Sequence, residues 1–362
     1  MNKAAKRAGE GKMARQAAAV TPGGETPAHR GPRLVDIAAA VGVHHSTVSR
    51  VLNGDPAQSV RPETYQRILE AARQQGYRPN ALARALKQSR TGAMVFVIPL
   101  LRNPIWASLE RGALHRAAER GYFVMMIEEP TEDPRPPAHY RYLIDEMRAD
   151  GLLLATALRV PGHGDGEPAV PHVFVNRRGS RTGNNVVMDE AGAMRLFIEH
   201  VASLGHRRIA LVDGSPQVDT VYRRMTAARR VCGMRGLELT VRHAPPTEEG
   251  GWDATQRLLR QGKLPTACGV GSLNQVFGVM AALRQAGIGV PEAMSVVSFD
   301  EDECLAYLDV PVTSVAMPLV ALGAAAVDAL IDRITHSSAA DVMIRKPMVL
   351  MQRDSVAPAP PG

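Results

Sequence analysis

From Ala93 to about Met351, short apolar runs alternate with longer stretches whose apolar residues recur every three to four positions. No other feature restricts the fold as much. An apolar run of four to eight residues suits a strand buried on both faces, and a 3.6-residue period suits a helix packed on one face. The strands read in this way are 94–100, 122–127, 151–154, 172–175, 208–212, 239–243, 267–271 and 295–299. The helices are 106–120, 140–149, 191–204, 222–235, 252–261, 275–285 and 319–335. Strand–helix–strand repetition implies βαβ units and mostly parallel sheets. About 260 residues of it exceed an ordinary single sheet domain, so two lobes are expected, each a doubly wound sheet. Ligands of such sheets sit beyond the carboxyl ends of the strands, here between the lobes. Residues 168–171 and 309–318, rich in proline, are the expected lobe crossings.

The stretch before this core has a different character. Residues 34–41, 45–52 and 62–75 read as helices, and 80–86 as a short fourth segment. Gly42 can take positive φ at the tight turn between the first two, and small Ala38 lets them approach closely. Val43, Val48 and Val51 supply the apolar contacts that fix the second helix. Pro62 suits a first helical turn and Gly76 a helix stop. This is helix-turn-helix spacing, with His45, Ser46, Ser49 and Arg50 presented outward.

Charge separates the same two regions. The whole chain carries 43 Lys and Arg against 36 Asp and Glu, a net +7. Residues 1–92 hold 15 of those bases and 6 of those acids, so this quarter of the chain carries more than the whole excess. A basic end on a near-neutral body points to nucleic acid. Residues 1–31, rich in Ala, Gly, Pro and Lys, read as a disordered basic extension, and 356–362 as a disordered tail. No apolar run approaches the ~18 residues of a membrane helix, and the basic N-terminus lacks the apolar core of an export signal. Cys232, Cys268 and Cys304 form no C-x-x-C pair, which disfavours a disulfide scaffold or a cysteine zinc site. A cytoplasmic protein with no membrane partner and no cofactor is the expectation. Catalytic signatures are missing too. There is no G-x-S-x-G or Walker A, and Gly269-Val270-Gly271 lacks the third glycine of a dinucleotide loop. An α/β enzyme is therefore the weaker rival. A transporter's solute-binding protein is another, and the basic head argues against it.

The string Gly42-Val43-His44-His45-Ser46-Thr47-Val48-Ser49-Arg50-Val51-Leu52-Asn53-Gly54 resembles the head of the LacI (lactose repressor) family of transcription regulators. So does Gly76-Tyr77-Arg78-Pro79-Asn80-Ala81-Leu82-Ala83-Arg84-Ala85-Leu86. The likeness continues through Asn103-Pro104, Leu204-Gly205-His206-Arg207-Arg208, Val290-Pro291 and Ser295-Val296-Val297-Ser298-Phe299-Asp300, covering roughly residues 33–355. It implies an α+β multidomain chain. A helix-turn-helix domain at 32–78 and a hinge helix and linker at 79–91 would precede a two-lobed, periplasmic-binding-protein-like core at 92–355. It further implies a homodimeric repressor on pseudo-palindromic, double-stranded operator DNA, controlled by a small molecule between the lobes, a sugar or sugar derivative by family precedent.

Residue by residue, the resemblance assigns DNA contact to Leu34, His45, Ser46, Thr47, Ser49 and Arg50. It adds Asn53, Tyr77, Asn80, Ala83 and Leu86, the last as an apolar wedge that kinks the duplex from the minor groove. For the effector it assigns Asn103, Trp106 and Asn176 from the first lobe. From the second it assigns Thr220, Arg224, Ser272, Asn274 and Asp300. Arg224 is read as a fork of donors for the ligand, and Asp300 as its carboxylate acceptor. The chain departs from the family at His44 and Arg33, where caps of the first two helices are usually Ser or Thr. It also departs in a 54–59 loop about two residues longer than usual, in Leu273 for a usual Asp, and in Pro246 for an aromatic ring.

Overall fold

The structure is a computed structural model. It describes residues 32–52, 60–77, 90–99, 101–129, 137–156, 168–179, 183–336 and 340–361. The chain divides into two units, Met1–Asn80 and Ala81–Gly362.

The first unit contains α1 (Leu34–Val41), α2 (His45–Leu52) and α3 (Pro62–Gln74). Their shared core is Ile37, Ala38, Val41, Val48, Val51, Ile68 and Ala72. Gly42 ends α1 at φ +75°, a conformation glycine adopts without a Cβ penalty, and Gly76 ends the α3 region at φ +64°. Arg67 donates to the Val41 carbonyl at 3.0 Å, so a side chain of α3 satisfies the open end of α1.

The second unit has two six-stranded sheets. The first holds β1 (Ala93–Ile98), β2 (Phe123–Glu128), β3 (Gly151–Leu154), β4 (His172–Val175), β5 (Asn185–Met188) and β11 (Val342–Ile344), in the order β11-β5-β4-β3-β1-β2. Every pairing in it is parallel. Helices α4 (Ile105–Glu119) and α10 (Leu319–His336) cover one face, and α5 (Pro137–Met147) the other. The second sheet holds β6 (Arg208–Asp213), β7 (Glu238–His243), β8 (Ala267–Val270), β9 (Ser295–Ser298), β10 (Thr313–Ala316) and β12 (Val349–Met351), in the order β12-β10-β9-β8-β6-β7. Here α6 (Glu190–Ser203) and α7 (Asp219–Arg235) pack on one face. Helices α8 (Glu248–Leu259) and α9 (Leu273–Gln285) pack on the other. Central strands are therefore buried on both sides, which is why β1 reads as an unbroken apolar run.

The chain crosses between lobes three times: between β5 and α6, between β10 and α10, and between β11 and β12. The expected crossing at 168–171 is corrected, because it joins β3 to β4 within one sheet. The 309–318 expectation meets a real crossing only at its end, after Ala316. Proline marks where a strand stops and carries no information about which sheet comes next. The expected disordered tail is also corrected for its described part. The Ala359 N–H donates to Leu204 O at 2.8 Å, and Ala357 is held through both its N–H and its carbonyl. Buried His206 is the anchor, contacting Ala357 O at 3.0 Å and Thr266 Oγ1 at 2.9 Å. Among the described residues no helix is long and apolar enough to cross a membrane.

Candidate functional site

Two places gather polar side chains that folding alone does not require. The first is the outer face of α2. Val48 and Val51 turn into the head core, which leaves His45 and Arg50 exposed and Ser46, Thr47 and Ser49 half-buried. A short helix exposing an arginine, an imidazole and hydroxyls can meet base edges and phosphates. The two missing caps have substitutes. His44 Nδ1 accepts the Ser46 N–H at 3.3 Å and lies 2.8 Å from Ser46 Oγ, so an imidazole takes the capping role at α2. At α1, the Asp36 carboxylate accepts the Arg33 N–H at 2.7 Å from the third helical position. Leu34 and Tyr77 are half-buried and pack on the head core. Asn53, Asn80, Ala83 and Leu86 lie outside the described residues.

The second place is where the carboxyl ends of the two sheets meet. Arg102, after β1, pairs with Glu248 at the start of α8 at 2.9 Å. The Arg178 N–H, after β4, donates to Asp219 Oδ2 at 3.1 Å. Arg223 reaches back to the carbonyls of Met188, at 2.7 Å, and Asn176, at 3.3 Å. Strand ends of one lobe thus face strand ends of the other.

Close to these strand ends lie buried polar atoms that find no hydrogen-bond partner. Trp106 Nε1, Thr156 Oγ1 and Asn176 Oδ1 come from the first lobe, after β1, β3 and β4. Ser272 Oγ, Asn274 Nδ2 and Gln275 Oε1 come from the second, at the start of α9. Glu190 Oε1 comes from the crossing between them. A buried polar group left unpaired costs about 1–3 kcal/mol, so several together mark a surface made for something else to bind. Asn176 also sits at φ +62°, strained for a residue with a Cβ, as binding-site residues often are.

Behind these atoms lies a buried ionic cluster. Arg224 holds Asp213 with two nitrogens, at 2.8 and 2.9 Å, and Glu190 with a third at 3.3 Å. Its face lies 5.8 Å from the Phe299 ring centroid. Burial opposes the Arg224 charge, yet Asp213 and Glu190 more than offset this and hold its pKa above the usual value. Burial pushes the Glu190 carboxyl up, against the pull of Arg224 and Arg223. Burial likewise lowers Arg177 to about 10, with Asp219 partly restoring it. Asp300 accepts the Leu273 N–H at 3.0 Å, at the start of α9. Its pKa rises to about 6 because burial outweighs that bond and Arg224.

Of the effector positions named from the sequence, Trp106, Asn176, Thr220, Arg224, Ser272, Asn274 and Asp300 are buried here. Asn103 is half-buried at the first-lobe rim, its Oδ1 accepting the Ile105 N–H at 3.2 Å. The acidic run after β9 is no uniform solvated loop. Glu301 pairs with Arg353 at 2.6 Å, Asp302 caps the turn at Cys304, and only Asp300 enters the cleft. The departures have places as well. Leu273 is buried in the core of α8, α9 and their sheet, while Pro246 is exposed at the entry to α8.

Comparison with known proteins decides the kinship. Residues 33–80 match the bacterial regulatory proteins of the lacI family, and residues 198–356 match the periplasmic binding protein-like domain. The transcriptional regulator MalR of Streptomyces coelicolor is 32% identical over 91% of this chain and 97% of its own length. The chain belongs to the LacI family. The solved complex of the transcriptional regulator CelR with cellobiose is 26% identical, covers 90% of this chain and 99% of its own, and superposes with a TM-score of 0.64. The lac repressor dimer bound to operator shares the fold, at 22% identity, 91% and 100% coverage and a TM-score of 0.74.

Within this LacI-family fold, sequence reasoning missed Thr156, Glu190, Asp213 and Gln275. Asp213 had a signal: it is the charged residue closing an apolar strand, as Asp300 closes another. Glu190 had a weaker one, standing in Asp189-Glu190 beside an unrecognised strand.

Proposed function

We propose that the chain is an effector-controlled repressor that acts as a homodimer on two-fold-related DNA half-sites. The proposal divides it into the basic extension 1–31, the reading head 32–78, the hinge 79–91 and the effector core 92–355. Arg50 and His45 read base edges from α2, Ser46, Thr47 and Ser49 support them at the backbone, and Leu86 wedges the minor groove. The effector is a small hydroxylated molecule, a sugar or its derivative, held between the lobes by Trp106, Asn176, Asn274 and Asp300. The single observation that carries this reading is the convergence of unpartnered buried polar atoms from both lobes, in a chain that also bears a helix-turn-helix head. The lac repressor operator complex and the CelR–cellobiose complex support the two halves by likeness. The assigned chemistry is binding and no bond is made or broken. Action on chromosomal DNA places the protein in the cytoplasm.

The test begins with selection of DNA sites from a random pool by the full chain. The enriched sequence should have two-fold symmetry. Arg50→Ala should then lose about 1–3 kcal/mol of its preference for that site over random DNA in a mobility-shift assay, the scale of one bidentate base contact. An undiminished preference for the selected site would overturn the assignment of α2.

A further inference from the structure

The cleft holds more carboxylate than its own arginines neutralise. Glu190, Asp213, Asp219 and Asp300 are buried there, against Arg177, Arg223 and Arg224. Four acids face three guanidinium groups, so with all four ionised the site carries one extra negative charge, and burial of Glu190 and Asp300 makes that charge costly unless a proton or a bound cation meets it. The pairing shows where it resides. Arg223 is committed to Asp219 at 2.7 Å. Arg224, the residue read from sequence as a ligand fork, is committed to Asp213 and Glu190. Burial lowers the Arg177 pKa only to about 10, so the group stays charged at neutral pH, and Asp219 is the acid that favours it. What remains is Asp300, held by the Leu273 N–H, and the Oε1 oxygen of Glu190, which has no partner and belongs to a residue only 1% exposed.

The other unpartnered atoms point to the same kind of guest. Asn176 Oδ1 and Gln275 Oε1 are acceptors, and the Ser272 and Thr156 hydroxyls can accept. Only Trp106 Nε1 and Asn274 Nδ2 are obligate donors. An anionic guest would meet carboxylates and find every cleft arginine already engaged. A neutral polyol would satisfy the hydroxyls and amides and leave the excess charge buried. An ammonium brings three donors, no acceptor and the missing positive charge.

We propose that the effector is a hydroxylated small molecule carrying one protonated amine, the ammonium drawn to Glu190 and Asp300 and the hydroxyls to Asn176, Ser272 and Asn274. This rests on reading the cleft as the effector site and specifies its ligand class.

The test is calorimetric titration of the full chain at neutral pH with three matched sets: glucose, glucosamine and glucuronate; galactose, galactosamine and galacturonate; sorbitol, 1-amino-1-deoxysorbitol and gluconate. In at least one set the amine should bind about tenfold or more tighter than its neutral parent, the scale of one charge-assisted hydrogen bond, with the acid weakest. Glu190→Gln should weaken amine binding about tenfold more than it weakens binding of the neutral parent, and Asp300→Asn gives a second reading if that variant folds poorly. A neutral or acidic member binding as tightly as its amine in every responsive set overturns the amine and leaves the effector cleft standing. Silence across all nine compounds, with the selected operator still bound by the head, counts against the cleft as a polyol effector site and against the amine with it.

Discussion

Asp300 is a carboxylate sealed between a strand end and the first turn of α9, and its environment makes ionisation costly. Burial raises its pKa from the ordinary 3.8 to about 6. A carboxyl whose folded pKa is raised keeps its proton longer in the folded state than in the unfolded chain. Stability is therefore fullest below about pH 4 and declines as pH rises through about 6, by roughly 3 kcal/mol in all, since each unit is worth about 1.4. Asp300→Asn keeps an oxygen for the Leu273 N–H and removes the titration. Its denaturation midpoint relative to the native chain should rise between pH 4 and 7 and level off above, when measured by chemical denaturation at each pH. A difference independent of pH would show that Asp300 ionises freely. The same residue shows what one sequence can and cannot disclose. Asp300 follows a recognisable strand, and a carboxylate at a strand's carboxyl end is a place to look. That Asp213 and Glu190 would take the arms of Arg224 depends on three segments meeting in space, which no local pattern encodes.

At the scale of elements, two helix pairs, α8 with α9 and α4 with α10, approach closely because glycine stands where they meet. Gly278 of α9 lies against the backbone of α8, where an added Cβ would meet Glu248 O and sit 2.6 Å from Trp252 N. Gly112 of α4 and Gly323 of α10 interlock in the same way, against Val320 O and Leu109 O. Gly278→Ala should gain up to about 1 kcal/mol of helix propensity and lose more to overpacking, typically 1–3 kcal/mol, because backbone cannot rotate aside. Urea denaturation should show net destabilisation, and an unchanged midpoint would mean that α8 and α9 can separate freely. The long helices were legible because their period repeats over several turns. The strands β5, β10, β11 and β12 were not: β5 and β10 open on polar Asn185 and Thr313-Ser314, and β11 and β12 have three residues each, so none shows the apolar run that marked β1 and β3. Two of these, β11 and β12, form the third crossing, so the lobe connections were the part of the fold least visible in the sequence.

At the scale of the molecule, charge and cleft divide the labour. The basic excess belongs to residues 1–92, so non-specific DNA affinity should fall steeply with salt, while effector binding, in a cleft whose charges are mostly paired internally, should not. Measuring both between 50 and 200 mM salt, a range in which phosphate contacts are strongly screened, should show a steep loss for DNA and little change for effector. Three chain crossings between the lobes mean that a ligand bridging β4 and β9 ends can alter their angle through every connection at once. A useful coupling is about 1–3 kcal/mol, or 5–150-fold in operator affinity. The most direct test is one titration: the affinity of the full chain for its selected operator, with and without a cleft ligand at saturation, in the native chain and in Asp300→Asn. The ligand should move native operator affinity by about 5-fold or more and leave that of Asp300→Asn unchanged. Operator affinity that ignores a demonstrably bound ligand, or moves equally in both proteins, would contradict effector control through this cleft.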